Sequence, residues 1–363
     1  MSLINRYIFK QFFPPFIFGL IIFTFSIITN RILMLTEMVI NKGVSITSVI
    51  KLASLTLPDF MIITLPISFL LAVLVVFGKM TQSNEIMALK ASGVNIWQLT
   101  KPALLFSLIP LVASLFFSFY MAPRFNYFFR VLAVKEIKKA VLSALKKNSF
   151  SNKLGNYKIF IKHVNPSKSS IKGIFILYKI KKNSMVLIAN RGYIVYNKKQ
   201  NLISFYLQNG QIQKKYRSKK NFWILNFKTY KINIKLKGLS FPSRNNSVHF
   251  MTISQLISKY NSVGNKKNVK NIYLIYILKK IAIPIAVIFF VFIGLPLAML
   301  SEKRSLFMAI FYTIAIVVVY YILFTSGLYL SIKTGFNPII GVFGADIILF
   351  VTGAILYIKA SAK

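Results

Sequence analysis

The sequence predicts a helical membrane protein of six spans, grouped three and three around an inserted, jellyroll-like all-β domain. Three observations carry that prediction. Of 363 residues, 56% are hydrophobic, more than a soluble globular chain uses. Apolar runs long enough to cross a bilayer, about 20 residues each, recur near 12–35, 49–77, 102–122, 272–300, 305–330 and 337–358. Between the third run and the fourth, the hydrophobic period shifts from helical spacing to two.

The first three spans occupy residues 1–123. Lipid offers no partner to open backbone groups, so each run must be helical. Pro14, Pro15, Pro58, Pro66, Pro102, Pro110, Pro284 and Pro296 are then helix-end residues or kinks packed against neighbours. The N-terminal run is too long for a signal-peptide core and ends in no small-residue cleavage site, so it reads as a retained anchor. Between the second and third runs lies a polar island, Gly78–Gly93. Ser83 or Thr81 can cap a short helix there, and Gly93 is placed to stop it. Glu85 in its first turn and Lys90 in its last complement the helix dipole. So short a helix is marginal in water and needs a docking partner. Ile86, Met87 and Leu89, with Val94, offer it an apolar face.

Residues 124–150 continue the third span as an amphipathic connector. From 151 to 250 come short alternating runs, including Tyr157–His163, Gly173–Lys179, Val186–Tyr196, Leu202–Gln208 and Trp223–Leu236. Asn165-Pro166-Ser167, Asn197-Lys198-Lys199 and Asn209-Gly210 read as the turns between them. The pattern predicts a sandwich or jelly roll. Residues 251–271 give a short helix, capped by Thr252 or Ser254, and a linker, and 272–363 hold the last three spans.

The formal charge is +41, from 47 basic and 6 acidic residues, and residues 124–270 hold 32 of the basic ones. That segment could meet nucleic acid, anionic lipid or phosphorylated glycolipid, or reflect a chain-wide bias towards Lys and Asn. With six spans, the basic residues in the short flanks (Arg6, Lys10, Lys79, Lys90, Lys101, Lys303, Arg304, Lys359) share one side, which is the cytoplasm. The termini and the polar island are then cytoplasmic and the β domain lies outside.

No P-loop, His-Glu-x-x-His or Gly-x-Ser-x-Gly motif occurs, and acids are too sparse for paired-carboxylate catalysis. There is no cysteine. The chain reads as a non-enzyme with no metal or cofactor of its own. Charges in or beside spans are functional suspects. Asp59 and Asp346 could serve ion coupling, and Arg31 and Lys42 could meet anionic headgroups, passively or as part of a substrate site.

Gly78-Lys-Met, Asn84-Glu85-Ile86 and Ala91-Ser92-Gly93 resemble the cytoplasmic coupling segment of the lipopolysaccharide-export permeases LptF/LptG (YjgP/YjgQ). Leu65-Pro66-Ile67-Ser68, Ala189-Asn190-Arg191-Gly192, Leu207-Gln208-Asn209-Gly210, Met251–Leu256 and Gly294-Leu-Pro296-Leu resemble further family phrases in the family's order, nearer LptF than LptG. The resemblance implies a multi-pass subunit in the inner membrane of a two-membrane bacterium. It would pair with a second permease over a cytoplasmic ABC ATPase dimer, which binds the ATP and Mg. A single-span regulatory subunit and a periplasmic jellyroll bridge protein complete the set, and no nucleic acid is expected. The cargo is lipopolysaccharide or a related glycolipid. By the resemblance, Glu85, Ile86, Met87, Leu89 and Gly93 couple to the ATPase, and Arg31 matches a basic family position that meets the substrate; Lys42 is a substrate candidate by its charge and place alone. Ser301–Ser305 lacks the family's glycine, and Gly344-Ala345-Asp346 replaces a common Pro-Asn pair. A membrane-anchored glycolipid-binding scaffold without turnover is the alternative.

Overall fold

The computed structural model describes residues 3–42, 45–145, 151–154, 157–165, 170–180, 183–197, 202–216, 222–235, 248–264, 267–301 and 305–362. Ten α-helices and six strands follow in order: α1 (Leu3–Gln11), α2 (Phe13–Lys42), α3 (Ile46–Gln82), α4 (Glu85–Ala91), α5 (Ile96–Phe116), a π-turn (Phe117–Met121) and α6 (Ala122–Leu145). Then come β1 (Ser151–Leu154), β2 (Tyr157–Asn165), β3 (Ser170–Ile180), β4 (Asn183–Asn197), β5 (Leu202–Tyr216) and β6 (Phe222–Lys235). The chain closes with α7 (Ile253–Ser262), α8 (Lys267–Leu300), α9 (Leu306–Lys333) and α10 (Pro338–Ala362). Among the described residues six helical stretches are long and apolar enough to span a membrane, the number expected from the sequence. Two compact units result: residues 1–31, 55–127 and 244–363, and residues 32–54 and 128–243.

In the first unit the core lies along α3 and α8, where Phe69, Leu70, Ala72, Val73, Val287 and Val291 are sealed from solvent. Phe106 on α5 gathers the rings of Phe9, Phe12, Phe13, Phe16 and Phe69 at centroid distances of 5.0–6.2 Å. Such ring pairs add about 0.5–1.5 kcal/mol each beyond area burial, so they fasten α1 and the start of α2 onto α5.

Prolines explain the polar contacts between spans. A proline inside a helix has no N–H for the carbonyl four residues earlier, and in lipid no water replaces it. Pro66 frees the carbonyl of Ile62, and Ser114 Oγ on α5 donates to it at 3.2 Å. Pro284 frees the carbonyl of Lys280 on α8, and Ser118 Oγ donates to it at 2.9 Å. In the π-turn the Ala122 N–H goes to Phe117. Pro123 then leaves the Ser118 carbonyl without a helical donor, and Lys280 Nζ supplies one at 2.8 Å. Ser118 and Lys280 therefore satisfy each other's orphaned carbonyls and join the π-turn to α8.

In the second unit, Leu35, Val49, Leu52 and Ala133 form a small helical cluster. The six strands pair antiparallel strictly in sequence order. The β domain is thus a meander; the strand crossovers of a sandwich or jelly roll are absent among the described residues. Asn209-Gly210 also differs from expectation, because β5 runs straight through it. Asn209 has φ 51°, and the pair forms a kink within the strand instead of a turn. A Cβ at Gly210 would meet the Ile188 carbonyl of β4, so only glycine fits that approach.

This kink is shared. The ladders skip Lys162 with Gly173, Gly173 with Asn190, Asn190 with Asn209, and Asn209 with Lys228, while the register is the same on either side. The pairing of β2 to β6 is interrupted at one level, and on β3 and β4 the side-chain alternation inverts there. On β3 Ile171 and Ile174 are both buried, and on β4 both Ala189 and Gly192 are. One face therefore stays apolar across the crease, lined by Ile159, Ile161, Ile176, Leu187, Phe205 and Leu207.

Downstream, Thr252 caps α7 with a reciprocal box in which its N–H donates to Gln255 Oε1 at 3.1 Å.

Candidate functional site

The polar island folds as a seven-residue helix, α4, between the ends of α3 and α5. Its start departs from the expected cap. Asn84 stands at the N-cap in the left-handed region (φ 58°) and makes no side-chain cap. Ser83 Oγ instead lies 2.8 Å from Glu85 Oε1 and 3.0 Å from the Lys79 carbonyl, its one proton shared between these two acceptors, binding the first acid of α4 back to the last turn of α3. The helix stops as expected. Gly93 has φ 83°, its N–H donates to the Lys90 carbonyl at 2.9 Å, and the Val94 N–H donates to the Leu89 carbonyl at 3.0 Å. That bond pair is a Schellman stop, which needs a residue free of a Cβ at Gly93. Val94 and Leu89 both rest on the core, supplying the apolar contact that accompanies the motif.

The side chains of α4 divide between two directions. Ile86, 3% exposed, is a core residue. It cannot take part in an exposed docking face, and Leu89 is half-buried against the same core. Met87, at 71% exposure, points outward together with Ala88, Ala91 and Ser92. Periodicity cannot orient a helix of two turns that has apolar residues on both faces.

Two long-range bonds hold α4 in place. Tyr7 on α1 donates to Glu85 Oε2 at 3.3 Å, and Lys90 Nζ donates to the Ala360 carbonyl at the end of α10 at 3.2 Å. Glu85 is thus half-buried between Ser83 and Tyr7. The first helix of the chain, α4 and the last turn of α10 meet at one end of the helical unit, as an even number of crossings requires.

The other charged candidates lie elsewhere. Arg31 is half-buried on α2; Lys42 ends that helix, and its side chain lies outside the described residues, as do Glu302, Lys303 and Arg304. Asp59 on α3 accepts from Asn126 Nδ2 at 3.1 Å. Asp346 on α10 is 1% exposed and lies near the Tyr320 hydroxyl, short of hydrogen-bond geometry. Asp59 lines a cavity whose wall does not include Asp346. Among the described residues no group of His, Asp and Glu side chains could hold a metal ion.

The profile of a family described as "Lipopolysaccharide export system permease LptF/LptG" matches residues 6–359. The chain belongs to that family. An uncharacterized protein of Rickettsia prowazekii (strain Madrid E) is 28% identical over 168 residues, a match covering 44% of each chain. The chain thus spans under half the length of that relative. For an LptF/LptG chain, α4 is the element the sequence singled out, and the serines at proline-freed carbonyls are what sequence reasoning missed. Their signal is present as Ser114, Ser118, Pro66, Pro123 and Pro284, but only the packed structure shows which serine faces which carbonyl.

Proposed function

We propose that this chain is the permease subunit of an ATP-driven transporter that takes lipopolysaccharide or a related glycolipid from the outer leaflet of an inner membrane to a periplasmic bridge. The chain itself hydrolyses nothing; ATP and Mg belong to a separate cytoplasmic ATPase dimer, and a second permease of the same family completes the pathway. One observation supports the coupling most: α4 is bonded to the first and the last helix of the helical unit through Glu85–Tyr7 and Lys90–Ala360, while Met87 is bare. A push on Met87 reaches α3 through Ser83, α1 through Tyr7 and α10 through Lys90. A loose loop could not pass that push on. Arg31, by the family pattern, and Lys42, by its charge, are the candidates to meet substrate phosphates.

The test is co-purification of the ATPase from membranes carrying variants. Met87→Asp places a charge on the exposed face and is expected to cut ATPase recovery about tenfold, the scale of an interface hot spot, with normal insertion. Glu85→Ala removes the link to Tyr7 and is expected to abolish glycolipid export. Full ATPase recovery and export in both variants would refute the coupling role.

A further inference from the structure

The helical unit contains a second polar feature, remote from α4. A cavity of about 310 Å³ opens among α3, the π-turn, the start of α6, α8 and α9, and its polar wall includes Asp59, Asn126, Tyr276, Lys279 and Lys280. Asp59 lies within the second apolar run, just before its uncharged stretch 60–77; Lys279 and Lys280 lie within the fourth, just before its uncharged stretch 281–300; and Asn126 closely follows the third run. Uncharged stretches of about 20 residues match a bilayer's hydrocarbon, which puts these charges at its edge, the level of the headgroups.

The groups are also held in position. Lys280 is fixed by its bond to the Ser118 carbonyl, and Asp59 by the amide of Asn126. Lys279 stands half-buried beside Lys280, and Asp59 is the carboxylate that offsets their charge. Two ammonium groups and one carboxylate around a single cavity match a ligand that carries both signs. Lysines suit a phosphate as point charges, and the carboxylate suits an ammonium. The volume lies at the lower edge of the ~300–1,000 Å³ of small-molecule sites, enough for a headgroup and too small for a phosphorylated disaccharide.

We propose that this cavity binds the headgroup of a zwitterionic phospholipid, with its phosphodiester on Lys279 and Lys280 and its primary ammonium on Asp59, as a lipid site separate from the transported glycolipid. The acyl chains would lie outside on the apolar spans.

The experiment is native mass spectrometry of the full chain, delipidated and then exposed to phosphatidylethanolamine, phosphatidylglycerol or soluble phosphoethanolamine. Wild type is expected to retain the ethanolamine lipid about threefold over the glycerol lipid, the scale of one exposed ion pair. Asp59→Asn should erase or invert that preference, and Lys279→Gln should lower retention of both lipids; each variant is first checked for an unchanged melting temperature. Equal retention of both lipids by wild type and Asp59→Asn would overturn the proposal and leave the charges as an internal neutralising group. Uptake of soluble phosphoethanolamine without either lipid would overturn the lipid source. The readout needs neither ATPase nor export, so it stands or fails independently of the coupling role.

Discussion

Spans built on α3 and α8 and spans built on α2 and α9 have similar apolarity but opposite fates. The most apolar stretch of Ile46–Gln82 is 72% buried and that of Val269–Leu300 is 61% buried, whereas those of Asn5–Leu33 and Leu306–Lys333 are each 17% buried. Mean hydropathy differs far less than burial does, at 2.8 and 2.7 against 2.1 and 2.5. In lipid, apolarity gives a helix no reason to seek another helix; close packing and interhelical hydrogen bonds do. The buried spans carry both. Gly294 of α8 lets Val73 and Leu70 of α3 come so close that a Cβ would meet them at 2.9 and 3.1 Å. Ile62 of α3 and Lys280 of α8 also offer the proline-freed carbonyls. The outer spans instead present Ile21, Phe25, Phe307, Phe311 and Val319 outward.

The largest expected effect comes from breaking a small-residue contact. Gly341 of α10 lies against the Gly327 carbonyl of α9, and a Cβ there would also collide with Ser331 Oγ. Gly341→Val should destabilise the chain at the upper end of the ~1–3 kcal/mol typical of overpacking, read as a lost or strongly lowered unfolding transition in detergent. An unshifted transition would mean that α9 and α10 can slide apart freely.

A smaller effect tests the proline-freed carbonyls. Ser118→Ala should cost about 1 kcal/mol by leaving the Lys280 carbonyl without a donor. In a Pro284→Ala background residue 284 regains its N–H, and the same substitution should cost less than half as much. A double-mutant cycle with no coupling would disprove the pairing. Least affected should be the outer face: Phe311→Ala and Val318→Ala, at 55% and 48% exposure, should each shift the isolated chain by under ~0.5 kcal/mol. A large shift there would place α9 among the core spans.

The same contrast explains what could be read from the sequence. Six spans, the α6 continuation, the Thr252 cap and the Gly93 stop were legible, because length, period and capping residues are local properties. Ile86 was not, since a seven-residue helix can turn either apolar residue inward. The Asn209-Gly210 pair was misread as a turn because the left-handed conformation it favours serves a strand kink equally well. Neither the serine–carbonyl pairs nor the cavity at Asp59 and Lys280 has a linear signature, as both arise where distant helices meet.

The crease across the β meander has a mechanical consequence. A pleated sheet resists bending along a line that crosses its strands, because the rungs on both sides share one continuous ladder. Here Lys162, Gly173, Asn190, Asn209 and Lys228 form a row where the rungs are already missing. That row is therefore the line along which the ladder fixes the angle between the two panels least, and it runs across the strands.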